Sequence, residues 1–406
     1  MPVRLSTPQM FRQGTNAILD AQLRIGRTSL QVSTGKRILS PADDPSGAVQ
    51  SLEVSNALAI NGQFTRNADL ARQKLSYEET VMQSIQDNIQ RVRELIIQGN
   101  NDSQTPETRR HIAAELRQRY DELLQLANSR DANGEYIFAG YQSDTQPFVR
   151  SPSGVVNYAG DDRQRFVQIS PVRQVAVGDS GQEVFLDIPN GNGTFVTGTV
   201  AGNTGSGSIT TGTVVDLATW QATTAPTDSY TISFTAPDTF VITGTNGYNS
   251  GPLAYQSGAD IQFQGISVRI DGQPATGDSF TVAPSSPESL FETYRLAIST
   301  LEQGGGNPTA SAVLHTDLGR VLEQLDQGQL RMNDIRARIG ARLNALDTQA
   351  DINSGLDLQL RTVQSAIQDL DYAEAISRFQ QQMTGLQAAQ QTFIKIQGLS
   401  LFNFIR

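Results

Sequence analysis

The sequence predicts an α+β multidomain protein. Both ends of the chain are predicted to form a long α-helical coiled-coil rod, into which an all-β domain is inserted. Two observations carry this prediction. An uninterrupted heptad series runs from Leu314 to Leu370, and strand-like alternation recurs in the Thr-, Gly- and Ser-rich segment 187–283. Apolar residues that return every 3.5 positions form one narrow stripe along a helix that must face other helices. The rod is therefore the element around which the other parts are predicted to pack.

The heptad series steps by four and three without a break or a proline, and it has polar members at Arg342, Gln349 and Asn353. Such polar members fix the register of a helix pair at some cost in stability. The series consists of Leu314, Leu318, Val321, Leu325, Gly328, Met332, Ile335, Ile339, Arg342, Leu346, Gln349, Asn353, Leu356, Leu360, Val363, Ile367 and Leu370. A new apolar series follows after a step of six residues, from Leu370 to Ile376, so we expect a segment boundary there.

Helical patterns also dominate the first third of the chain. Phe11, Ile18, Ile25 and Val32 repeat at seven, which predicts an amphipathic helix over 8–33 that ends at Gly35. Further helices are predicted over 46–98 and from Pro106 to about residue 132, and helix resumes near residue 287. Asp44 before Pro45 is typical of a helix N-cap, as is Ser40 before Pro41.

Short strands are predicted at 135–139, 155–158, 165–169 and 183–186. The segment 187–283 adds clear alternation in 230–234 and 266–270, with turn signals between the runs. It contains seven Asp and one Arg, without Glu or Lys, so its net charge is −6. These features predict an exposed β domain inserted into the helical rod.

The predicted organisation has five segments. They are an N-terminal amphipathic assembly helix (1–39), a helical rod with a β-hairpin region (40–186), an exposed β domain (187–283), a long helical return of the rod (284–370), and a C-terminal assembly helix (371–406) that acts with the first.

Composition excludes several classes of function. The formal net charge of −10 argues against a nucleic-acid partner, and the absence of cysteine excludes disulfides and thiolate chemistry. No apolar run is long enough to span a membrane, and the N-terminal residues contain no apolar core of a cleavable secretory signal. The two histidines, His111 and His315, stand in no metal-binding motif, so we expect neither a metal nor another cofactor. No residue pattern supports catalysis, and we expect no enzyme.

Several segments together resemble the flagellin family. Val32–Ile38 and Pro41–Gly47 resemble the N-terminal corner that flagellins share with the hook-associated proteins. The stretches 4–11, 133–148 and 158–161 and the ending Leu399–Arg406 resemble the hook-associated branch, because flagellins usually close on a short leucine-rich tail. The resemblance covers about 1–186 and 284–406 and is weaker across the insert. The start Met1-Pro2-Val3 departs from the usual opening of these relatives.

The resemblance implies a structural protein that the flagellar type III export apparatus carries out of the cell, to the extracellular flagellum. There it would form a homo-oligomeric ring between the hook-side junction protein and the flagellin filament, which serves motility. It also implies that an export chaperone holds the C-terminal segment before secretion. Two alternatives stay open. The chain could be a flagellin that forms the filament itself, or, with less support, a surface-binding module that acts through the β insert.

The terminal helices are predicted to bury their apolar stripes only on assembly. The predicted subunit-assembly residues are Phe11, Ile18, Leu23, Ile25, Leu30, Val32, Ile376, Phe379, Met383, Leu386 and Phe393. The predicted export-chaperone contacts are Leu386, Phe393, Ile396 and Leu399.

Overall fold

The computed structural model describes residues 7–402, with side chains described from residue 9 to residue 395. The chain divides into two compact units: the first consists of 1–66 and 349–406, and the second of 67–348. The described residues form seven α-helices: α1 (Thr7–Thr34), α2 (Pro45–Gly99), α3 (Pro106–Ala127), α4 (Leu217–Thr223), α5 (Leu290–Gln303), α6 (Pro308–Gln368) and α7 (Tyr372–Phe402). Long helices thus stand toward both ends of the chain and strands occupy its middle.

All fifteen strands of the described residues belong to the second unit. They are β1 (Phe148–Arg150), β2 (Val156–Tyr158), β3 (Phe166–Ser170), β4 (Arg173–Ala176), β5 (Ile188–Pro189), β6 (Phe195–Thr199), β7 (Ser208–Ile209), β8 (Thr213–Val214), β9 (Tyr230–Ala236), β10 (Thr239–Gly244), β11 (Leu253–Ala254), β12 (Asp260–Phe263), β13 (Ile266–Asp271), β14 (Ser279–Pro284) and β15 (Pro287–Glu288).

The first unit contains α1, α7, the first part of α2 (45–66) and the last part of α6 (349–368). A corner of residues 35–44 leads from α1 to α2, and residues 369–371 separate α6 from α7. Backbone hydrogen bonds join these two connections, from Arg37 N–H to Gln368 O at 2.7 Å and from Leu370 N–H to Gly35 O at 2.9 Å. The helix break therefore falls where the heptad spacing changes in the sequence.

Asp44 caps α2, because its Oδ1 accepts the Gly47 N–H at 2.9 Å. This hydrogen bond and that from the Ser46 hydroxyl hold the pKa of Asp44 below its ordinary value. The cap predicted at Ser40 is wrong, because Pro41 begins only a turn. The carboxylate of Asp43 accepts the backbone N–H groups of Leu39 and Ser40 at 2.9 and 3.0 Å, and so closes that turn.

The second unit has a helical core between α2, α3, α5 and α6. The heptad positions of α6 in this unit are buried as their spacing predicts: Leu314, Leu318, Val321, Leu325, Met332, Ile335, Ile339 and Leu346 are at most 2% exposed. They pack with α2 residues such as Leu75, Ile85 and Ile96 in one apolar cluster. Tyr294 on α5 is buried there and donates a hydrogen bond to Asn88 Oδ1 at 2.9 Å.

A separate apolar cluster fills the β region. One antiparallel sheet has the order β11-β10-β9-β14-β6, and another has the order β12-β13-β7, with β8 also paired to β13. Inward residues of alternating strands, such as Ile232, Phe280 and Ile270, are fully buried. The prediction that this region is all-β is wrong in one place, since α4 interrupts it. Asp216 caps α4 by accepting the Ala218 and Thr219 N–H groups, and the helix buries Trp220.

Two of the predicted strands are corrected. Residues 135–139 form turns and one bridge, because their backbone groups bond to separate segments: Tyr136 N–H to Ser143 O and Ile137 N–H to Ser129 O. Residues 182–186 form a π-helical turn. Its turn directs two consecutive side chains, Val184 and Phe185, into the core, whereas a strand would direct them to opposite faces.

Candidate assembly interface

The two terminal helices pair in an antiparallel arrangement within the first unit. Phe11 lies edge-on to Phe393 with ring centroids 5.7 Å apart, while Thr28, farther along α1, donates a hydrogen bond to Gln382 Oε1 at 2.9 Å. Gly14 allows the close approach, since a Cβ there would lie 2.8 Å from the Phe393 ring. Phe11 near the start of α1 contacts Phe393, whereas Thr28 near the end of α1 contacts the earlier residue Gln382, so the two helices run in opposite directions.

The paired faces follow heptad spacing on both helices, and we call them the inner face. Its members are half-buried or buried: Phe11, Gly14, Ile18, Ala21, Ile25, Thr28 and Val32 on α1, and Ala375, Phe379, Gln382, Leu386, Ala389 and Phe393 on α7. Steps of three and four keep such positions on one side of a helix. The inner face therefore holds seven of the eleven predicted assembly residues, including Phe11, Ile18, Ile25 and Phe393.

The other four predicted assembly residues point away from this pairing. Leu23 is 72% exposed and Leu30 is 58% exposed, and both lie near Leu19 on the side of α1 opposite the inner face. On α7, Ile376 and Met383 are exposed on a flank, with Ile394 farther along. We call these six residues the outer stripes. The structure therefore divides one predicted set into two faces, one occupied by the partner helix and one open in the single chain.

Sequence reasoning missed the small and polar members of the inner face. Gly14, Ala21, Thr28, Gln382 and Ala389 occupy heptad positions between the predicted apolar residues. A reading of the four-and-three spacing on both helices could have found them, whereas apolarity alone could not. Of the predicted chaperone contacts, Leu386 and Phe393 lie on the inner face, and the side chains of Ile396 and Leu399 lie outside the described residues.

The parts of α2 and α6 that belong to the first unit bury mainly polar groups. Asn61 donates to the Asn353 carbonyl at 2.8 Å, and Gln349 donates to Asn353 Oδ1 at 2.9 Å. Farther along, Gln364 donates to Ser55 at 3.0 Å. Large apolar residues on the same two segments are exposed: Val49, Leu52, Ile60, Ile352, Leu356, Leu358 and Val363. Of the last members of the heptad series, Leu356 and Val363 therefore lie open in the single chain, whereas Leu360, Ile367 and Leu370 are half-buried.

The described part of the first unit thus has no apolar core of its own. Among its described side chains (9–66 and 349–395), the fully buried ones are small or polar, as in Thr28, Asn61, Asn353 and Ala375. Both apolar clusters consist of residues between 68 and 346, in the second unit. Burial of large apolar side chains is the main favourable term in folding, so the first unit gains little of it alone.

Gly35 offers a test of how the corner supports the helix pair. It has φ +69° after the end of α1, and a Cβ there would lie 2.8 Å from the Tyr372 hydroxyl. We expect Gly35→Ala to destabilise the α1–α7 pairing by about 1–2 kcal/mol, because L-residues are strained in this conformation. Amide hydrogen exchange of α1 measures the effect. Gly26→Ala is the matched control, since that helical glycine has free space around it and alanine favours helix. Equal protection in both variants would contradict the expectation.

Neither a membrane span nor a metal cluster is found in the part of the chain that the structure describes. No helix there is long and apolar enough to cross a membrane. Within the same residues, no group of three or more His, Asp or Glu side chains is placed to hold a metal ion.

The comparisons with known proteins agree on the family. Residues 5–143 match the model of the bacterial flagellin N-terminal helical region. A crystal structure of Xanthomonas campestris FlgL is 32% identical, with a TM-score of 0.72, over 77% of this chain and 99% of that one. The flagellar junction protein FlgL from Legionella pneumophila is 30% identical, with a TM-score of 0.70, over 80% of this chain and all of that one. Flagellar hook-associated protein 3 of Salmonella typhimurium is 26% identical over the full length of both chains.

These matches define a flagellin-type structural protein, with long helices toward both ends and a central β-rich region. Within that class, the chain belongs to the flagellar hook-associated protein 3 (FlgL) family.

Proposed function

We propose that this protein is a structural subunit of the hook–filament junction, where copies form a ring between the hook-side junction protein and the flagellin filament. The observation that carries the proposal is that the described residues of the first unit form no apolar core. Its outer stripes and the open heptad positions of α6 are available to neighbouring subunits. Association would then supply the burial that the single chain lacks. Family membership is the second support, because FlgL of Legionella is itself described as a flagellar junction protein.

In this proposal the terminal helices are the assembly domain. The inner face holds α1 and α7 together, and the outer stripes contact adjacent copies. The segments 40–186 and 284–370 form the rod with its hairpin region, and 187–283 forms the exposed β domain. The protein is a building element without catalytic activity, and nucleic acid is not a partner because the net charge is −10.

Export is part of the same proposal. The chain would leave the cell through the flagellar type III apparatus, with its C-terminal segment held by an export chaperone. Leu386 and Phe393 are half-buried against α1, so a chaperone that binds them must displace α1 from the inner face. Chaperone binding and helix pairing would then exclude one another. Such exclusion would keep the assembly domain open until secretion.

The test is reconstitution on isolated hooks that carry the hook-side junction protein. Purified protein is added with and without flagellin, and the products are viewed by electron microscopy. We expect a short cap that stops growing and that filament growth then requires. Long filaments of this protein alone would instead make it a flagellin. Failure to attach, with the C-terminal segment intact, would favour a surface-binding role for the β insert and overturn the junction proposal.

A further inference from the structure

Two carboxyl groups and one guanidinium meet inside the second unit. Glu78 lies on α2, Arg342 on α6, and Asp179 on the segment 177–181 between β4 and the π-helical turn Gln182–Leu186. Glu78 and Asp179 are each 1% exposed. Arg342 donates to both oxygens of Asp179, at 3.0 and 2.9 Å, and the Asp179 N–H donates to Glu78 Oε1 at 2.9 Å. Gln164 donates to Asp179 Oδ1 at 2.6 Å. With Gln164, which lies between β2 and β3, the cluster thus joins four parts of the chain.

One guanidinium cannot neutralise two ionised carboxylates, so the cluster is neutral only when one carboxyl group carries a proton. Arg342 forms a bidentate pair with Asp179, and among the described residues no second cation forms an ion pair with Glu78. The nearby charged groups are committed elsewhere: Glu79 pairs with Arg336 at 2.7 Å, and Arg338 pairs with Glu183 at 2.7 Å. A buried carboxylate without a counter-charge is strongly unfavourable, so the neutral acid is the stable form of Glu78.

The surroundings of Glu78 disfavour its ionised form. Its Oε2 is buried and has no hydrogen-bond partner among the described residues. Burial first, and then the negative charge of Asp179, raise the pKa of Glu78 to about 8. The folded state therefore binds this proton more tightly than the unfolded state does. Its stabilising contribution is complete at low pH and is lost as the pH rises toward 8.

We propose that this cluster is a proton-dependent latch, which holds segment 177–181 against α2 and α6 while Glu78 is protonated and loosens when that proton leaves. Ionised Glu78 would place a second negative charge beside Asp179, and both would compete for Arg342. The helices are fixed by the apolar cluster around Leu75 and Ile339. Segment 177–181 adds one side chain, Val177, to that cluster and is otherwise held by backbone bonds such as Val177 N–H to Arg165 O and Gly181 N–H to Phe138 O, both at 2.9 Å. With fewer apolar contacts than the helices, it is the part that moves.

Hydrogen exchange followed by mass spectrometry tests the latch in the full chain. Peptides that cover 173–186 are compared between pH 6.5 and 9.5 after correction for intrinsic exchange. We expect wild-type protection of this segment to fall at least tenfold across the range. In Glu78→Gln it should stay constant, because the amide is neutral at every pH and its carbonyl still accepts the Asp179 N–H. Glu79→Gln makes the same chemical change one residue away and should still lose protection as the pH rises, since the Glu78 carboxyl is kept.

A second variant keeps the proposal testable if Glu78→Gln folds poorly. Asp179→Asn removes the like charge and leaves Arg342 free to neutralise Glu78, so the loss of protection should disappear. The latch is refuted if wild-type protection is independent of pH, or if either Glu78→Gln or Asp179→Asn loses protection as the wild type does.

Discussion

Leu23→Asp should abolish assembly on hooks while leaving the α1–α7 pairing intact. Leu23 is 72% exposed in the single chain and lies opposite the inner face, so a carboxylate there is fully hydrated before association. In an interface it would lose that hydration, and the roughly 2 kcal/mol from burying the leucine would be lost as well. We expect the concentration needed for capping to rise at least about 100-fold.

The matched control is Gln22→Asp. It adds the same charge at the neighbouring residue, which is exposed and belongs neither to the inner face nor to the outer stripes. Capping by this variant should stay within about threefold of wild type, since a solvated surface charge changes association only weakly. If both variants cap hooks equally well, the outer stripe of α1 is not an assembly surface.

Leu386→Asp should also prevent assembly, but by a different route. Leu386 is half-buried on the inner face, so a carboxylate there opposes the pairing itself. Hydrogen exchange should show α1 deprotected in Leu386→Asp and protected in Leu23→Asp. The two larger β sheets of the second unit, β11-β10-β9-β14-β6 and β12-β13-β7, should keep their protection in both variants.

Arg342→Ala should destabilise the second unit by about 3–5 kcal/mol. It removes the guanidinium that neutralises Asp179 and leaves a buried carboxylate next to Glu78. Urea unfolding followed by circular dichroism at neutral pH measures the change. Asp179→Asn combined with Arg342→Ala should recover part of the loss, because no unpaired charge then remains.

The control for this change is Arg361→Ala on the same helix. Arg361 pairs with Asp357 one turn earlier, and its side chain is 67% exposed. Such a surface pair contributes little, so we expect no resolvable change in the unfolding midpoint. An equally small change for Arg342→Ala would show that Asp179 is neutralised by other means.

The helices were predictable because their signals are periodic and local. The heptad positions from Leu314 to Leu346 lie on one face of α6, and the apolar residues of that face are buried. The segment 135–139 was mispredicted because its β-forming residues bond to loop residues, such as Ser143 and Ser129, and not to a partner strand. The segment 183–186 was mispredicted because its backbone bonds are local, within a π-helical turn that buries Val184 and Phe185. Apolarity selected both Ile25 and Leu23 as interface residues, but only the helix pairing distinguishes the inner residue from the outer one. The contact between Glu78 and Asp179 could not be predicted either, because the two residues are far apart in sequence.

The polar interior between the first-unit parts of α2 and α6 has a consequence that calorimetry can measure. Heat-capacity changes follow the apolar area removed from water, and the first unit removes little of it in the single chain. Melting of the free protein should therefore report mainly the second unit, and association should carry a large negative heat-capacity change. Titration calorimetry of capping at several temperatures would measure it. A value near zero would mean that the open apolar residues stay in water after assembly, and that polar contacts hold the copies together.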